Sequence, residues 1–170
     1  MIESVPDGGG FAQTLKIDPR RHAVSEAMRF AELAVSQCDL ACRDAIVLAA
    51  AELAENVVKY GVKHEDPRAG AISVTVLGNV ARICATNAVA SADDAKSVID
   101  IVARLAAASS AGVELYRARL QELFIDPGMQ RARLGLIRLV FEGGFRLSAS
   151  FDPPLLQIVA ERPCRGLEGR

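Results

Sequence analysis

The sequence predicts an α+β domain, a two-layer sandwich in which helices pack on one face of a mainly antiparallel sheet. Three observations carry that expectation. Ile72, Val74 and Val76 alternate with Ser73 and Thr75, Gly78-Asn79 supplies a two-residue turn, and Val80–Thr86 returns, which together form a hairpin. Arg146–Phe151 and Leu155–Ala160 form a second hairpin around Asp152-Pro153-Pro154. Before and between the hairpins, apolar residues recur at helical spacing, and helices of that kind must bury one side against a sheet.

In chain order, residues 1–10 read as a disordered tail. Phe11–Ile17 alternates and forms a first edge strand, ended by Asp18-Pro19. Ala23, Ala27, Phe30, Ala31 and Ala34 predict a helix from about Arg21 to Gln37. Asp39 is placed to N-cap a second helix, Leu40 to Gly61, with Gly61 where the helix must end. Asn87 closes the second strand of the first hairpin. Residues 91–125 are helical in pattern, with Val98, Ile101, Val102 and Leu105 in one stripe and Val113, Tyr116, Leu120 and Leu123 in another; the SSAG stretch at 109–112 separates them. Asp126-Pro127-Gly128 breaks the chain, and Leu134–Phe141 is a further helix stopped by Gly143-Gly144. One domain, 11–162, is expected, followed by a tail at 163–170, with no internal repeat.

Composition narrows the function classes. A chain of 170 residues with 51% apolar residues is long enough to bury a real core. A formal net charge of −1 offers no basic surplus for nucleic acid. No run approaches eighteen apolar residues, so no membrane span is expected, and the acidic, glycine-rich start is unlike an export signal. Cys38, Cys42, Cys84 and Cys164 lack CxxC spacing, and with only two histidines a zinc site is not indicated. They read as reduced core thiols of a cytoplasmic protein.

The chemically loaded segment is the second helix. At roughly 100° per residue, Ile46, Ala50, Leu53 and Val57 share a narrow, buried arc. Glu52, Asn56 and Lys59 fall within about 60° of one another on another side, and Glu55 points further towards solvent. Glu52 and Asn56, four residues apart, can meet one ligand. Asparagine is a mediocre helix-interior residue, because its amide competes for backbone hydrogen bonds. A carboxylate, an amide oxygen and an ammonium suit a phosphate–magnesium site: magnesium takes hard oxygens, Lys59 offsets phosphate charge, and Glu52 can accept a hydroxyl proton. A solvated polar helix face carries the same residue types.

The segment Glu52-Leu-Ala-Glu-Asn56-Val-Val-Lys59-Tyr60-Gly61, and the longer run LAAAELAENVVKYG, resembles the N-box of the GHKL (histidine-kinase-like) ATPases, above all bacterial anti-sigma-factor serine kinases. The order of elements over 11–87 is similar as well. The resemblance implies that fold, ATP and Mg2+ as cofactors, Asn56 as the magnesium ligand, Lys59 on the phosphates and Glu52 as the catalytic base. Two departures stand out. Where the family has an Asp-x-Gly-x-Gly loop, this chain has Thr86-Asn87-Ala88-Val89-Ala90; the Gly8–Gly10 run lies in the amino-terminal tail. The family's second glycine-rich loop appears as Arg131-Ala132-Arg133-Leu134-Gly135-Leu136. Arg131 and Arg133 either hold phosphate by charge, fill its space, or are plain surface arginines.

The pattern over 85–161 is similar to the SiaB-like members, which implies that Asn87 stands in for the adenine-reading aspartate. As a plain residue it is a strand-end turn asparagine. The implied function is an ATP/Mg-dependent serine/threonine protein kinase of a bacterial partner-switching system, acting on a small STAS-like regulator. The alternative is a catalytically silent version of the fold that binds a partner, such as a sigma factor. A homodimer is implied only by the relatives. His22 and His64 lack a nucleophilic partner, Asp93-Asp94 reads as a helix N-terminal charge pair, and Cys38 and Cys42 read as buried thiols.

Overall fold

Strand register explains how the layers form. In the computed structural model, which describes residues 11–18, 22–109 and 130–165, five strands form one antiparallel sheet. They are β1 (Phe11–Lys16), β2 (Ala71–Leu77), β3 (Val80–Ala88), β4 (Arg146–Asp152) and β5 (Leu155–Pro163), in the spatial order β1-β2-β3-β5-β4. Ile72 pairs with Ala85 and Ala85 with Ile158; Val74 pairs with Ile83 and Ile83 with Ala160. Leu147 and Ala149 continue those rows on β4. Because side chains alternate across a strand, these rows make one apolar face. The intervening positions carry Ser73, Thr75, Arg82, Thr86, Gln157 and Glu161, and there Arg82 pairs with Glu161 across the strands.

Among the described residues four helices cover the apolar face: α1 (Ala23–Ala34), α2 (Leu40–Tyr60), α3 (Ala92–Ser109) and α4 (Gln130–Phe141). α1 lies against α2, α2 packs on β3, α4 on α2, and α3 on α4 and β4. The main core joins Phe30 of α1, Ile46 and Leu53 of α2, Ile72 and Ile83 of the sheet, Leu105 of α3 and Leu139 of α4. The architecture is the expected α+β two-layer sandwich. Around α2 the buried arc is wider than one stripe, because α1, the sheet and α4 all contact this helix; Cys42, Ala45, Ala49 and Ala54 are buried along with Ile46, Ala50, Leu53 and Val57.

Asp39 caps α2 as expected, its side chain accepting from Cys42 N at 2.9 Å. At the other end Gly61 N donates to Val57 O at 2.9 Å. A Cβ on Gly61 would lie 2.5 Å from Val57 O, so only glycine lets the chain turn here against β3. The bridge Val62 N to Ala88 O, 2.9 Å, then ties the helix exit to the end of β3.

Several expectations change. The first helix stops at Ala34 rather than Gln37, since Cys38 N turns back to Val35 O, 3.0 Å, and Asp39 N reaches across to Arg165 O, 3.0 Å. Asn87 does not close β3; it sits within the strand, paired with Leu156, and faces the helical layer. α4 is helical from Gln130, four residues ahead of the expected start. The chain is fixed past position 162: β5 reaches Pro163, and Arg165 N donates to Asp39 Oδ2 at 3.0 Å.

The cysteines are not all reduced thiols. Cys42 and Cys164 form a disulfide, which the sequence separation of 122 residues hid, while Cys38 and Cys84 are free. The expectations for 1–10, for the second stripe with Tyr116, for Asp126-Pro127-Gly128 and for 166–170 lie outside the described residues. Among the described residues no helix is long and apolar enough to cross a membrane.

Candidate functional site

A cavity of about 330 Å³ opens where α2, the end of β3, α3 and α4 meet. Its polar wall is Asn56, Lys59 and Tyr60 of α2 with Asn87 of β3 and Asp94 and Ser97 of α3. Its apolar wall is Val98 and Ile101 of α3, Leu136 of α4, and Leu156 and Ile158 of β5. An apolar enclosure with a few convergent polar groups is the usual form of a small-molecule site, and the volume lies near the lower end of the roughly 300–1,000 Å³ such sites occupy. Other depressions are broader (480 and 590 Å³) but lie more open to solvent, on the β3–β5–α4 edge and near the start of α2.

Each polar side chain is there for a local reason. Asn56 and Lys59 are one turn apart on α2, so both reach the same opening. Asn87 faces inward by strand alternation, and it is the buried polar side chain among the described residues, 6% exposed. Gly61 lies beside it: a Cβ there would meet Asn87 Cβ at an ordinary contact distance of 3.5 Å. Asp94 belongs to a capping box at the start of α3, where Ser91 Oγ donates to Asp94 Oδ2 at 2.8 Å and accepts from Asp94 N at 3.1 Å. Lys59 pairs with Glu55 on the solvent side, a half-exposed contact that a stronger anion can displace.

Glu52 stands apart from this wall. Its carboxylate pairs with Arg138 of α4, and Arg138 Nε also reaches Glu142 at 3.1 Å. The Glu52 side chain is only 12% exposed. Burial pushes its pKa up, and the Arg138 guanidinium pulls it down by less, so the net shift is upward. Arg138 itself is held more firmly protonated by Glu142 and Glu52. The two directions agree once desolvation of the carboxylate is counted. Gly135 sits directly over this pair: a Cβ on it would lie 2.6 Å from Glu52 Oε2. A side chain here would have to push the end of Glu52 aside.

Of the residues expected to form the site, Asn56, Lys59 and Asn87 share the cavity, and Glu52 and Gly135 share the neighbouring α2–α4 contact. Arg131 and Arg133 lie in the first turns of α4, and their side chains lie outside the described residues. Sequence reading missed Tyr60, Asp94 and Ser97, and it missed Arg138. Ser91-x-x-Asp94 was a readable capping signature, whereas the Arg138–Glu52 pairing depends on how two helices pack. The chain matches no protein-family model and none of the curated proteins compared with it.

The apolar wall is wide enough to face a flat ring, Asn87 offers an amide that both donates and accepts, and Asn56 carries an amide oxygen of the hard type that divalent cations take. Lys59, 35% exposed, adds a positive charge to the same lining.

Proposed function

We propose that the chain is a histidine-kinase-like ATPase domain that binds ATP and magnesium in this cavity. In this reading it acts in the cytoplasm as a regulatory serine/threonine kinase of a small STAS-like protein in a bacterial partner-switching system. The observation that supports it most is the convergence of Asn56, Lys59 and Asn87, which lie on two elements and up to 31 positions apart, on one cavity with an apolar floor. In this reading Asn87 orients the base, Asn56 holds the cation through its amide oxygen, and Lys59 neutralises phosphate. Magnesium, when bound, spreads the charge that develops on the phosphoryl oxygens. Glu52 takes the proton of the partner's hydroxyl, and this requires its carboxylate to be released from Arg138. Catalysis is then mainly positioning and charge neutralisation, with the partner supplying the nucleophile.

A melting experiment with ATP and magnesium tests the binding. A ligand selective for the folded state stabilises by about 2.7 kcal/mol at a hundredfold excess over its Kd, or roughly 5–10 °C for a domain of this size. The wild type is expected to show a magnesium-dependent rise and Asn56→Ala to lose it. A folded wild-type protein that shows no rise at millimolar ATP refutes the nucleotide reading.

The second reading is a silent domain that keeps the fold and binds a partner, a sigma factor or STAS-like protein, without turnover. The closure of α4 over Glu52, with Gly135 and Arg138 against the carboxylate, favours it. Phosphate transfer to a partner separates the two: the kinase reading expects transfer that Glu52→Gln abolishes while the melting rise persists.

A further inference from the structure

Away from the cavity, three cysteines converge at the start of α2. Cys38 just before the helix, Cys42 in its first turn and Cys164 just past β5 are all buried, with their sulfurs within 4.8 Å of one another. Cys42 and Cys164 are bonded, and Cys38 keeps a free thiol. We propose that this trio is a thiol–disulfide exchange site that takes a small anionic thiol, or its disulfide, and reversibly fastens the chain after β5 to the start of α2.

A disulfide that serves only as a staple needs two sulfurs. A third sulfur within 4.8 Å supplies an internal nucleophile, and this turns a fixed bond into an exchangeable one. Cys42 is the third residue after the cap Asp39, at the positive end of a helix of 21 residues, where a thiolate is favoured and leaves readily. Burial and the neighbouring Asp39 push the Cys38 thiol up, against an opposing pull from Arg43, so Cys38 rests as the thiol and attacks only after it gives up its proton. Access comes from the Cys164 side. That residue lines a depression of about 590 Å³ with Asp39, Asn79, Arg162, Pro163 and Arg165, and its two guanidinium groups can receive the carboxylates of a small peptide thiol.

The steps balance. An external thiolate attacks Sγ of Cys164; the mixed disulfide forms, and the Cys42–Cys164 bond breaks with its electron pair leaving on Cys42. A second small thiol attacks the mixed disulfide at the small-molecule sulfur, releasing the small disulfide and the Cys164 thiolate. Two electrons thus pass from two thiols to the protein, and their two protons end on Cys42 and Cys164. The reverse sequence, with the small disulfide as oxidant, closes the bond. Internally, the deprotonated Cys38 attacks Cys42; a Cys38–Cys42 bond forms, Cys164 leaves with the electron pair, and it takes the proton that Cys38 gave up.

The test equilibrates the full chain in stepped ratios of reduced to oxidised glutathione, traps free thiols by alkylation, and maps the bonds by peptide mass spectrometry. Wild type and Cys84→Ser are expected to pass reversibly between open and closed Cys42–Cys164, with a matching change in melting temperature. Cys164→Ser is expected to form Cys38–Cys42, and Cys42→Ser to form Cys38–Cys164. A bond closed at every ratio would make the pair a fixed staple and overturn the proposal, as would a pair open at every ratio. Absence of the Cys38 bonds from whichever of the two variants folds also overturns it. So does a tightly retained thiophilic metal ion that shields all three cysteines from alkylation, which would assign the trio to metal binding instead.

Discussion

At the scale of single residues, the α4 exit and the α2–α4 contact each turn on one atom-sized space. A Cβ on Gly143 would lie 2.6 Å from the Phe145 ring and 2.8 Å from Leu139 O. Phe145 is buried and the carbonyl is helix backbone, so neither yields cheaply. Gly143→Ala is therefore expected to cost about 1–3 kcal/mol, read as a lower urea midpoint at unchanged slope. Gly135 is different, because the atom in the way is the far end of the flexible Glu52 side chain. The charge on that side chain has its own signature. Since the folded-state pKa of Glu52 lies above the usual carboxylate value, its favourable contribution is complete at acid pH and is lost as pH rises through the folded pKa. Glu52→Gln resembles the protonated acid at every pH. Its melting temperature relative to wild type should therefore climb from pH 4 to pH 7. A fall over that range would mean that attraction to Arg138 outweighs burial.

At the scale of elements, α2 is anchored at both ends, and its start carries the larger load. The Asp39 carboxylate accepts from Cys42 N and Arg165 N, and these backbone donors hold its pKa below the usual carboxylate range. A depressed pKa contributes stability above the unfolded value that is lost as pH falls through the folded one. Asp39→Ala should lower the melting temperature at pH 7 more than Asp39→Asn does, because asparagine still accepts from the helix. Both variants should show a shallower acid limb below about pH 4. Much of this level was legible in the sequence. The Asp39 cap, the Gly61 stop, the Gly78-Asn79 turn and the two hairpins are local signals, set by residues a few positions apart. The site was legible only where it was local too: Asn56 and Lys59 share one helix face, but Glu52, one turn away from Asn56, is drawn off by Arg138, 86 positions later. Alternation along β3 would have turned Asn87 inward with Ile83 and Ala85; reading it as the strand's end concealed that.

At the scale of the whole molecule, the sheet is laid down by three antiparallel neighbours in a row, and the last strand, β5, inserts between β3 and β4. The chain leaving β5 therefore emerges near the start of α2, and there Arg165 and Cys164 meet Asp39 and Cys42. The Cys42–Cys164 bond spans 122 residues, so it encloses most of the chain in one covalent loop. In a chain-entropy account such a loop stabilises by roughly 5 kcal/mol through the unfolded state, although measured losses on removing a disulfide usually run about 2–5 kcal/mol. Under oxidising conditions Cys164→Ser should therefore lose about 2–5 kcal/mol in a denaturant titration, while Cys84→Ser, on the open face of the sheet, should lose far less. With excess reductant present, wild type and Cys164→Ser should unfold at nearly the same midpoint, since serine replaces a thiol of similar size. A large loss that persists in reductant would mean that Cys164 acts through packing in the core rather than through the bond. The stability of the domain would then be independent of its redox surroundings, and the hydrogen bonds between Asp39 and Arg165 alone would hold the end of β5 to α2.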